Sequence, residues 1–182
     1  MGKVFWFDCE TTGVSDNSAI IQLAGLIEID GQVIEQINLK ARPHTGAEIS
    51  MEALKVNNTT PDEIETFPEP IILYKTLIDR LNLWVNKFNR SDKMVLAGYN
   101  VSFDDGFLRR LFTRCGDKYY GSYFMWPKID VAHCVAEQCA KGLILPNYKL
   151  STICERYGVP INAHDAMGDI LATRDLYYRL KN

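Results

Sequence analysis

The sequence has little of what marks membrane, secreted or disordered proteins. It has no apolar run near the ~18–20 residues that a transmembrane helix needs, and residues 1–7 do not read as a signal peptide. Its five cysteines are odd in number and form no Cys-x-x-Cys pair, which disfavours a disulfide framework or a zinc site. Low-complexity tracts and internal repeats are absent. These absences predict a cytoplasmic protein without a membrane segment.

An excess of positive charge is lacking as well. The 182 residues include 20 basic and 23 acidic side chains, for a net charge of −3. Nucleic-acid-binding domains usually show a basic balance, so composition alone disfavours a nucleic-acid partner. The length and the 47% hydrophobic content are typical of one globular domain with its own core. We therefore expect a single domain over residues 1–182.

Hydrophobic patterning predicts an α/β fold. Strand-like runs cover residues 4–9, 20–29, 33–41 and 94–98, and helical spacing covers residues 71–88, 103–115, 130–141, 150–157 and the segment from His164 or Asp165 to 180. Asp30-Gly31 is a strong hairpin signal between the second and third strands. Three strands in hairpin order, followed by alternating helices and strands, predict a mixed sheet with helices on its faces.

Two carboxylates end the first, very apolar strand. Because strand side chains alternate, Asp8 and Glu10 share one face. They lie at the carboxyl end of the strand, where open α/β sheets bind their ligands. Thr11, Thr12 and Gly13 follow as a turn that could present backbone N–H groups.

A second acidic pair follows the fourth strand. Ser102 is a good N-cap with Asp105 in the reciprocal position of a capping box, which gives Asp105 a structural role. Asp104 precedes Phe107 and Leu108 by three and four residues, so it lies along the buried face of the predicted helix. A carboxylate there needs a partner, and a metal ion would supply one.

The third acidic segment opens the last helix. Asn162 is a candidate cap with Asp165 at the third helical position, again a structural role. Asp169 lies one turn further, and His164 lies in the first turn. Both are expected to face the sheet end that carries Asp8.

Four carboxylates converging on one sheet end would repel each other strongly, since two charges ~4 Å apart cost about 4 kcal/mol at an effective dielectric of 20. Divalent cations would relieve that repulsion, and all-oxygen ligands favour Mg²⁺ or Mn²⁺ over zinc. A pair of such ions suits in-line phosphoryl displacement. Hydrolysis also needs a base near neutral pH, which suits His164.

Together these three motifs resemble those of the DnaQ-like (DEDDh) 3′→5′ exonuclease family, which includes proofreading subunits of bacterial DNA polymerase III. The motifs are Asp8-x-Glu10-Thr11-Thr12-Gly13, Asn100-x-x-Phe103-Asp104 and His164-x-Ala166-x-x-Asp169. The resemblance covers nearly the whole chain. It implies an RNase H-like fold with a five-stranded sheet whose first three strands are antiparallel.

The resemblance also implies roles for single residues. Asp8, Glu10 and Asp169 would bind the catalytic metal, Asp8 and Asp104 the second one, and His164 would be the general base. The implied cofactors are two divalent cations, Mg²⁺ or Mn²⁺. Thr11, Thr12 and Phe103 would meet the 3′-terminal nucleotide. Many members carry a His-Gly pair beside that nucleotide, where this sequence has Asn57-Asn58.

The expected partners are single-stranded or frayed 3′ ends of nucleic acid, with a DNA polymerase or replication assembly as a further candidate. DNA is the favoured substrate, and an exoribonuclease on the same scaffold is the first alternative. A non-catalytic nucleic-acid-binding module is the second. A phosphatase with Asp8 as nucleophile is a third, although Thr173 stands where that family's late motif needs Asp.

Overall fold

The structure is a computed structural model that describes residues 2–161 and 165–181. Its five strands are β1 (Lys3–Thr11), β2 (Ile20–Ile29), β3 (Gln32–Lys40), β4 (Met94–Gly98) and β5 (Phe124–Asp130). Its seven α-helices are α1 (Met51–Val56), α2 (Pro61–Glu65), α3 (Pro70–Trp84), α4 (Val101–Arg114), α5 (Val131–Ala140), α6 (Leu150–Tyr157) and α7 (Ala166–Lys181), and a short 3-10 helix spans Tyr120–Ser122. Among these helices none is long and apolar enough to cross a membrane.

The strands form one mixed sheet in the order β3-β2-β1-β4-β5. The first three strands are antiparallel neighbours, whereas β4 and β5 join the sheet in parallel. This arrangement confirms the predicted five-stranded α/β fold. Strand β1 lies at the centre, which explains its continuous apolar run: a central strand between two helical layers is buried on both faces.

Each face of the sheet carries its own helices and its own core. Phe5 and Phe7 point into a core shared with α3 and α4, while Trp6 points into a core shared with α5, α6 and α7. Side chains alternate along a strand, so Asp8 and Glu10 follow Trp6 onto the α7 face. Strand geometry therefore delivers both carboxylates to the same side as Asp169.

A glycine closes β4 where the chain must approach β1. A Cβ at Gly98 would lie 2.9 Å from the backbone oxygen of Phe7, too close for any other residue without a shift of the backbone. Two residues later Asn100 adopts a left-handed conformation with φ +56° and turns the chain into α4. The tight exit from β4 thus brings the start of α4 next to the end of β1.

Two predicted helix boundaries are wrong. The helix predicted over residues 71–88 ends at Trp84 because Val85 is extended, and Phe88 is 87% exposed beyond it. Helix α4 begins at Val101 rather than at residue 103, and its cap residue Asn100 makes no side-chain cap bond. Ser102 is therefore inside the helix and does not cap it. Asp130, predicted as the first residue of the next helix, instead caps α5 and accepts a hydrogen bond from the Ala132 N–H at 3.0 Å.

Candidate active site

Three carboxylates from two elements meet at the carboxyl end of β1. One oxygen from each of Asp8, Glu10 and Asp169 lies within 4.8 Å of the other two. All three residues are partly buried. Strand and helix periodicity predicted that these three residues meet, and the structure places them together.

Helix α7 holds Asp169 in place through its packing on the sheet. Ala166 and Ile170 are fully buried in the core between this helix and β1. Asp165 lies just before the helix and accepts a hydrogen bond from the Gly168 N–H at 3.2 Å. Asp165 thus stabilises the start of α7, a structural role as expected. It does so from the position just before the helix, not from the third helical position.

A fourth carboxylate reaches the site from the first turn of α4. Asp104 is 4% exposed, and its Oδ1 accepts a hydrogen bond from the Cys9 N–H at 3.1 Å. Cys9 lies between Asp8 and Glu10 on β1. This bond ties the start of α4 to the strand that carries the other two acids.

Burial and the crowding of negative charges raise the pKa values of three carboxyl groups in this cluster. Burial, and then the charges of Asp104, Glu10 and Asp169, raise the pKa of Asp8 well above its usual range. Burial, then Asp169 and Asp165, raise the pKa of Glu10 to about 7. Burial also raises the pKa of Asp104 to about 8, against the lowering effect of the Cys9 N–H bond.

The cluster fits a divalent cation. Carboxylate oxygens are the ligands that hard cations such as Mg²⁺ and Mn²⁺ prefer. The raised carboxyl pKa values of Asp8, Glu10 and Asp104 indicate that burial and neighbouring like charges disfavour their ionised forms. A bound cation would favour the ionised forms and remove the cost of their repulsion.

The neighbouring aspartate has a different environment. Asp105 is also 4% exposed, but it receives Arg109 Nε at 3.0 and 3.1 Å, the Lys128 ammonium and the Tyr120 hydroxyl. Burial alone would raise the pKa of Asp105, but the bonds from Lys128, Tyr120 and Arg109 outweigh it and hold that pKa below its usual range. The predicted capping-box role of Asp105 is wrong: its partners come from the next turn of α4 and from distant segments.

The residues predicted to meet substrate lie beside the cluster, with their polar atoms already engaged. The Thr11 hydroxyl donates to the Gly13 carbonyl at 2.7 Å, and the Thr12 hydroxyl donates to the Glu48 carbonyl at 2.6 Å. Phe103 is half-buried on the first turn of α4 and packs against Phe107. Both threonines therefore shape the turn, while Phe103 keeps part of its ring accessible.

Several polar residues near Glu10 were not anticipated as a group. A cavity of about 300 Å³ adjoins Glu10 and Asp165, and its polar lining includes Gln22, Asn38 and Asn57. Asn57 Nδ2 donates to the Thr11 carbonyl at 2.9 Å, which fixes α1 against the end of β1. Asn57-Asn58, which stands where many family members carry a His-Gly pair, was the sequence feature that pointed to this region. It could not reveal Gln22 and Asn38, which come from neighbouring strands.

Two predicted residues, His164 and Asn162, lie outside the described residues. The remaining predicted site residues are all within the described part of the chain and gather at one end of the sheet.

Comparison with known proteins agrees with this geometry. A family model described as "Exonuclease" matches residues 5–177. The chain belongs to this exonuclease family. Relatives by sequence include a PolC-type DNA polymerase III of Oceanobacillus iheyensis, 27% identical over 178 residues, and ribonuclease T of Hahella chejuensis, 26% identical over 190 residues.

The relatives differ in how much of their length this chain represents. Each alignment covers 96% of this chain, but only 11% of the polymerase against 81% of the ribonuclease T. Among solved structures, E. coli Exonuclease I in complex with a dT13 oligonucleotide matches with a TM-score of 0.80 and 22% identity. That match covers 100% of this chain and 41% of the other, and it shows a shared fold.

Proposed function

We propose that this protein is a metal-dependent 3′→5′ exonuclease that releases nucleoside monophosphates from the 3′ end of nucleic acid, with residues 1–182 acting as one catalytic domain. The observation that carries the proposal is the meeting of Asp8, Glu10 and Asp169 within 4.8 Å, with buried Asp104 tied to the same strand. Membership of the exonuclease family narrows the chemistry of such a cluster to phosphodiester hydrolysis.

The proposed cofactors are two divalent cations, Mg²⁺ or Mn²⁺. Asp8, Glu10 and Asp169 would hold one, and Asp8 with Asp104 would hold the other. When bound, such ions supply positive charge to the attacking and leaving oxygens of an in-line displacement. The chain contributes the fixed spacing of its carboxylates, because the central strand and two packed helices hold them.

The remaining roles fall to residues around the cluster. His164 is the proposed general base that takes a proton from the attacking water, a task suited to a side chain that titrates near neutral pH. The turn at Thr11 and Thr12, with the accessible edge of Phe103, would position the 3′-terminal nucleotide.

DNA is the proposed substrate, as a single-stranded or frayed 3′ end. The alignment to PolC-type DNA polymerase III and the fold shared with an exonuclease solved with dT13 support DNA. The ribonuclease T relative keeps RNA as the alternative. A DNA polymerase or replication assembly is a proposed partner on the strength of the polymerase relatives alone.

The direct test is a 5′-labelled single strand incubated with Mg²⁺ or Mn²⁺. We expect a ladder that shortens from the 3′ end, release of mononucleotides and complete loss of cleavage with a chelator. Asp8→Asn should abolish cleavage, whereas Asp16→Asn, which changes a 98% exposed carboxyl, should not. Internal cuts, or full activity of Asp8→Asn, would refute the proposal.

Matched DNA and RNA strands of one sequence separate the two substrates. Faster cleavage of DNA supports the proposal as stated, and faster cleavage of RNA supports the exoribonuclease alternative. Tight strand binding without cleavage in Mn²⁺ would favour a non-catalytic module. His164→Ala tests the base: we expect hydrolysis slower by about 10²–10⁴ with the cation affinity retained.

A further inference from the structure

An apolar pocket lies between the start of α3 and the end of α4, above the first residues of β2. It has a volume of about 260 Å³, and its buried floor is formed by Ile20, Leu73, Phe107 and Leu111. These four side chains belong to the core on the α3 and α4 face of the sheet. Asp8 and Glu10 lie on the α7 face, so the pocket is separate from the carboxylate cluster.

The rim of this pocket carries a cation without a counter-ion. Arg114 is exposed at the end of α4, and its Nη2 donates to the Asp16 carbonyl at 3.0 Å. The Asp16 carboxylate pairs with Arg110 instead, at 3.1 Å, so within the described residues Arg114 has no ion-pair partner. Burial and the positive charge of Arg110 lower the pKa of Arg114, as expected for a guanidinium that lacks a neighbouring carboxylate.

The other polar groups at the rim do not cancel this positive charge. His44 is half-buried, and its Nε2 lies 3.4 Å from Asn17 Oδ1. Glu69 is the acidic residue of the lining, and it forms a salt bridge with Arg42. The uncompensated charge of the pocket is therefore positive and comes from one guanidinium. That charge complements a single anionic group.

The pocket shares a wall with the turn proposed to hold the 3′-terminal nucleotide. Ala19 lines the pocket. Its carbonyl accepts from the Thr12 N–H at 2.9 Å, and its N–H donates to the Thr12 hydroxyl at 2.9 Å. On the α4 side, the ring of Phe107 lies 5.0 Å from that of Phe103. A mononucleotide released at the turn is thus set free next to this pocket.

We propose that this pocket binds a nucleoside 5′-monophosphate, the product of the proposed exonuclease reaction, with its base against Phe107 and Leu111 and its phosphate on Arg114. Guanidinium groups bind phosphate through two parallel N–H donors. The inference rests on the proposed function and adds a second nucleotide site to it, on the other face of the sheet.

The size and charge of the pocket favour a free mononucleotide over a strand. Its volume of about 260 Å³ is below the ~300–1,000 Å³ of pockets for drug-sized ligands, so it accommodates a base but not a run of nucleotides. A bound strand also needs a groove of cations that follows its backbone, whereas this rim offers Arg114 alone.

Equilibrium dialysis with radiolabelled thymidine 5′-monophosphate (dTMP) and a chelator tests the proposal on the full chain. Without divalent cations the carboxylate cluster repels a phosphate, so we expect saturable binding of one dTMP to report on the pocket. Arg114→Gln should raise Kd about tenfold or more, because hydrogen bonds to charged groups are strong. Arg114→Lys keeps the charge and should lose less. An absence of saturable binding, or an unchanged Kd for Arg114→Gln, would overturn the proposal.

Two control variants locate the bound dTMP. Arg80→Gln removes an arginine of α3 that pairs with Glu35 at 3.4 Å and lies outside the pocket lining. Its Kd should stay within twofold of wild type, and an effect equal to that of Arg114→Gln would reduce the result to overall charge. Asp8→Asn should likewise leave Kd in chelator within twofold. A tenfold change would place dTMP in the carboxylate cluster and refute the pocket.

The chemical parts of the ligand and its source are tested by competition. Thymidine, which lacks the phosphate, should displace labelled dTMP at least tenfold less well than unlabelled dTMP does. A twelve-nucleotide oligothymidine should be no better a competitor than dTMP. Tighter, Arg114-dependent competition by the oligothymidine would assign the pocket to the strand and overturn the proposal.

Binding and cleavage fail separately in these experiments. Arg114-dependent binding of dTMP by a protein that does not cleave strands in Mn²⁺ would refute the exonuclease function and keep a nucleotide site. Cleavage by a protein that does not bind dTMP in chelator would refute this site alone.

Discussion

Asp104 and Asp105 are neighbours on one helix and equally buried at 4% exposure, yet their surroundings shift their pKa values in opposite directions. Asp105 is surrounded by a lysine, an arginine and a tyrosine hydroxyl, and its pKa is lowered. Asp104 faces Glu10 and other acids with a backbone N–H as its hydrogen-bond donor, and its pKa is raised to about 8.

We interpret this difference as that between a structural charge and one proposed to be functional. A buried carboxylate that the protein itself neutralises contributes to the fold as a partner in a network. A buried carboxylate left among like charges reduces stability and is retained where a ligand compensates it. On this interpretation, adjacent residues of identical type serve the fold and the proposed site, and three measurements test that division.

The largest expected effect is on catalysis, from Asp104→Asn. The substitution keeps the size of the side chain but removes charge from the proposed cation site. Loss of several kcal/mol of transition-state stabilisation corresponds to a rate lower by about 10²–10⁴. Single-turnover cleavage of an end-labelled strand measures it. A rate within threefold of wild type (about 0.7 kcal/mol) would place Asp104 outside the catalytic site.

The next effect is on stability, from Asp105→Asn. Removal of this charge leaves Lys128 buried without its carboxylate, and breaking a buried pair from one side costs about 3–5 kcal/mol. Urea unfolding measures the change. The control, Asp16→Asn, changes an exposed carboxyl paired with Arg110 and should cost less than about 1 kcal/mol. Equal losses for both variants would contradict the structural role of Asp105.

The smallest effect is the stabilisation by cations of the folded protein. At a Mn²⁺ concentration 100-fold above its Kd, wild type should gain about 2.7 kcal/mol of unfolding free energy. Asp104→Asn should gain less, because it has lost a proposed ligand, whereas Asp105→Asn should gain as much as wild type from its lower baseline. Thermal unfolding with and without Mn²⁺ makes the comparison. An equal gain for Asp104→Asn would separate this residue from the cation site.

Much of the fold was predictable because the sheet is buried. Strands β1, β2 and β4 lie between two helical layers or beside the centre, so their apolar runs are long and plain. The edge strand β5 has no such pattern: Met125, Trp126 and Pro127 are exposed, and the fifth strand was expected only from the family resemblance. Edge positions tolerate prolines and polar residues, which weakens the pattern.

The site was predictable wherever periodicity alone decides position. Alternation placed Asp8 and Glu10 on one face, and helical spacing placed Asp104 on the buried side. Local patterns failed for Asp105, because Tyr120 and Lys128 come from segments 15 and 23 residues further along. The sequence near Asp105 contains no pattern that predicts contacts with these two residues. The left-handed Asn100, which starts α4 two residues early, also removed the capping geometry that the pattern suggested.

One consequence follows from Cys9, the residue between the two carboxylates of β1. Its thiol is buried, and burial together with Asp104 and Asp8 raises its pKa well above the usual range. Thiolates rather than thiols react with peroxides and alkylating agents. The Cys9 thiol, one of five free cysteines, is therefore expected to react slowly with such reagents although it lies between two of the proposed metal ligands.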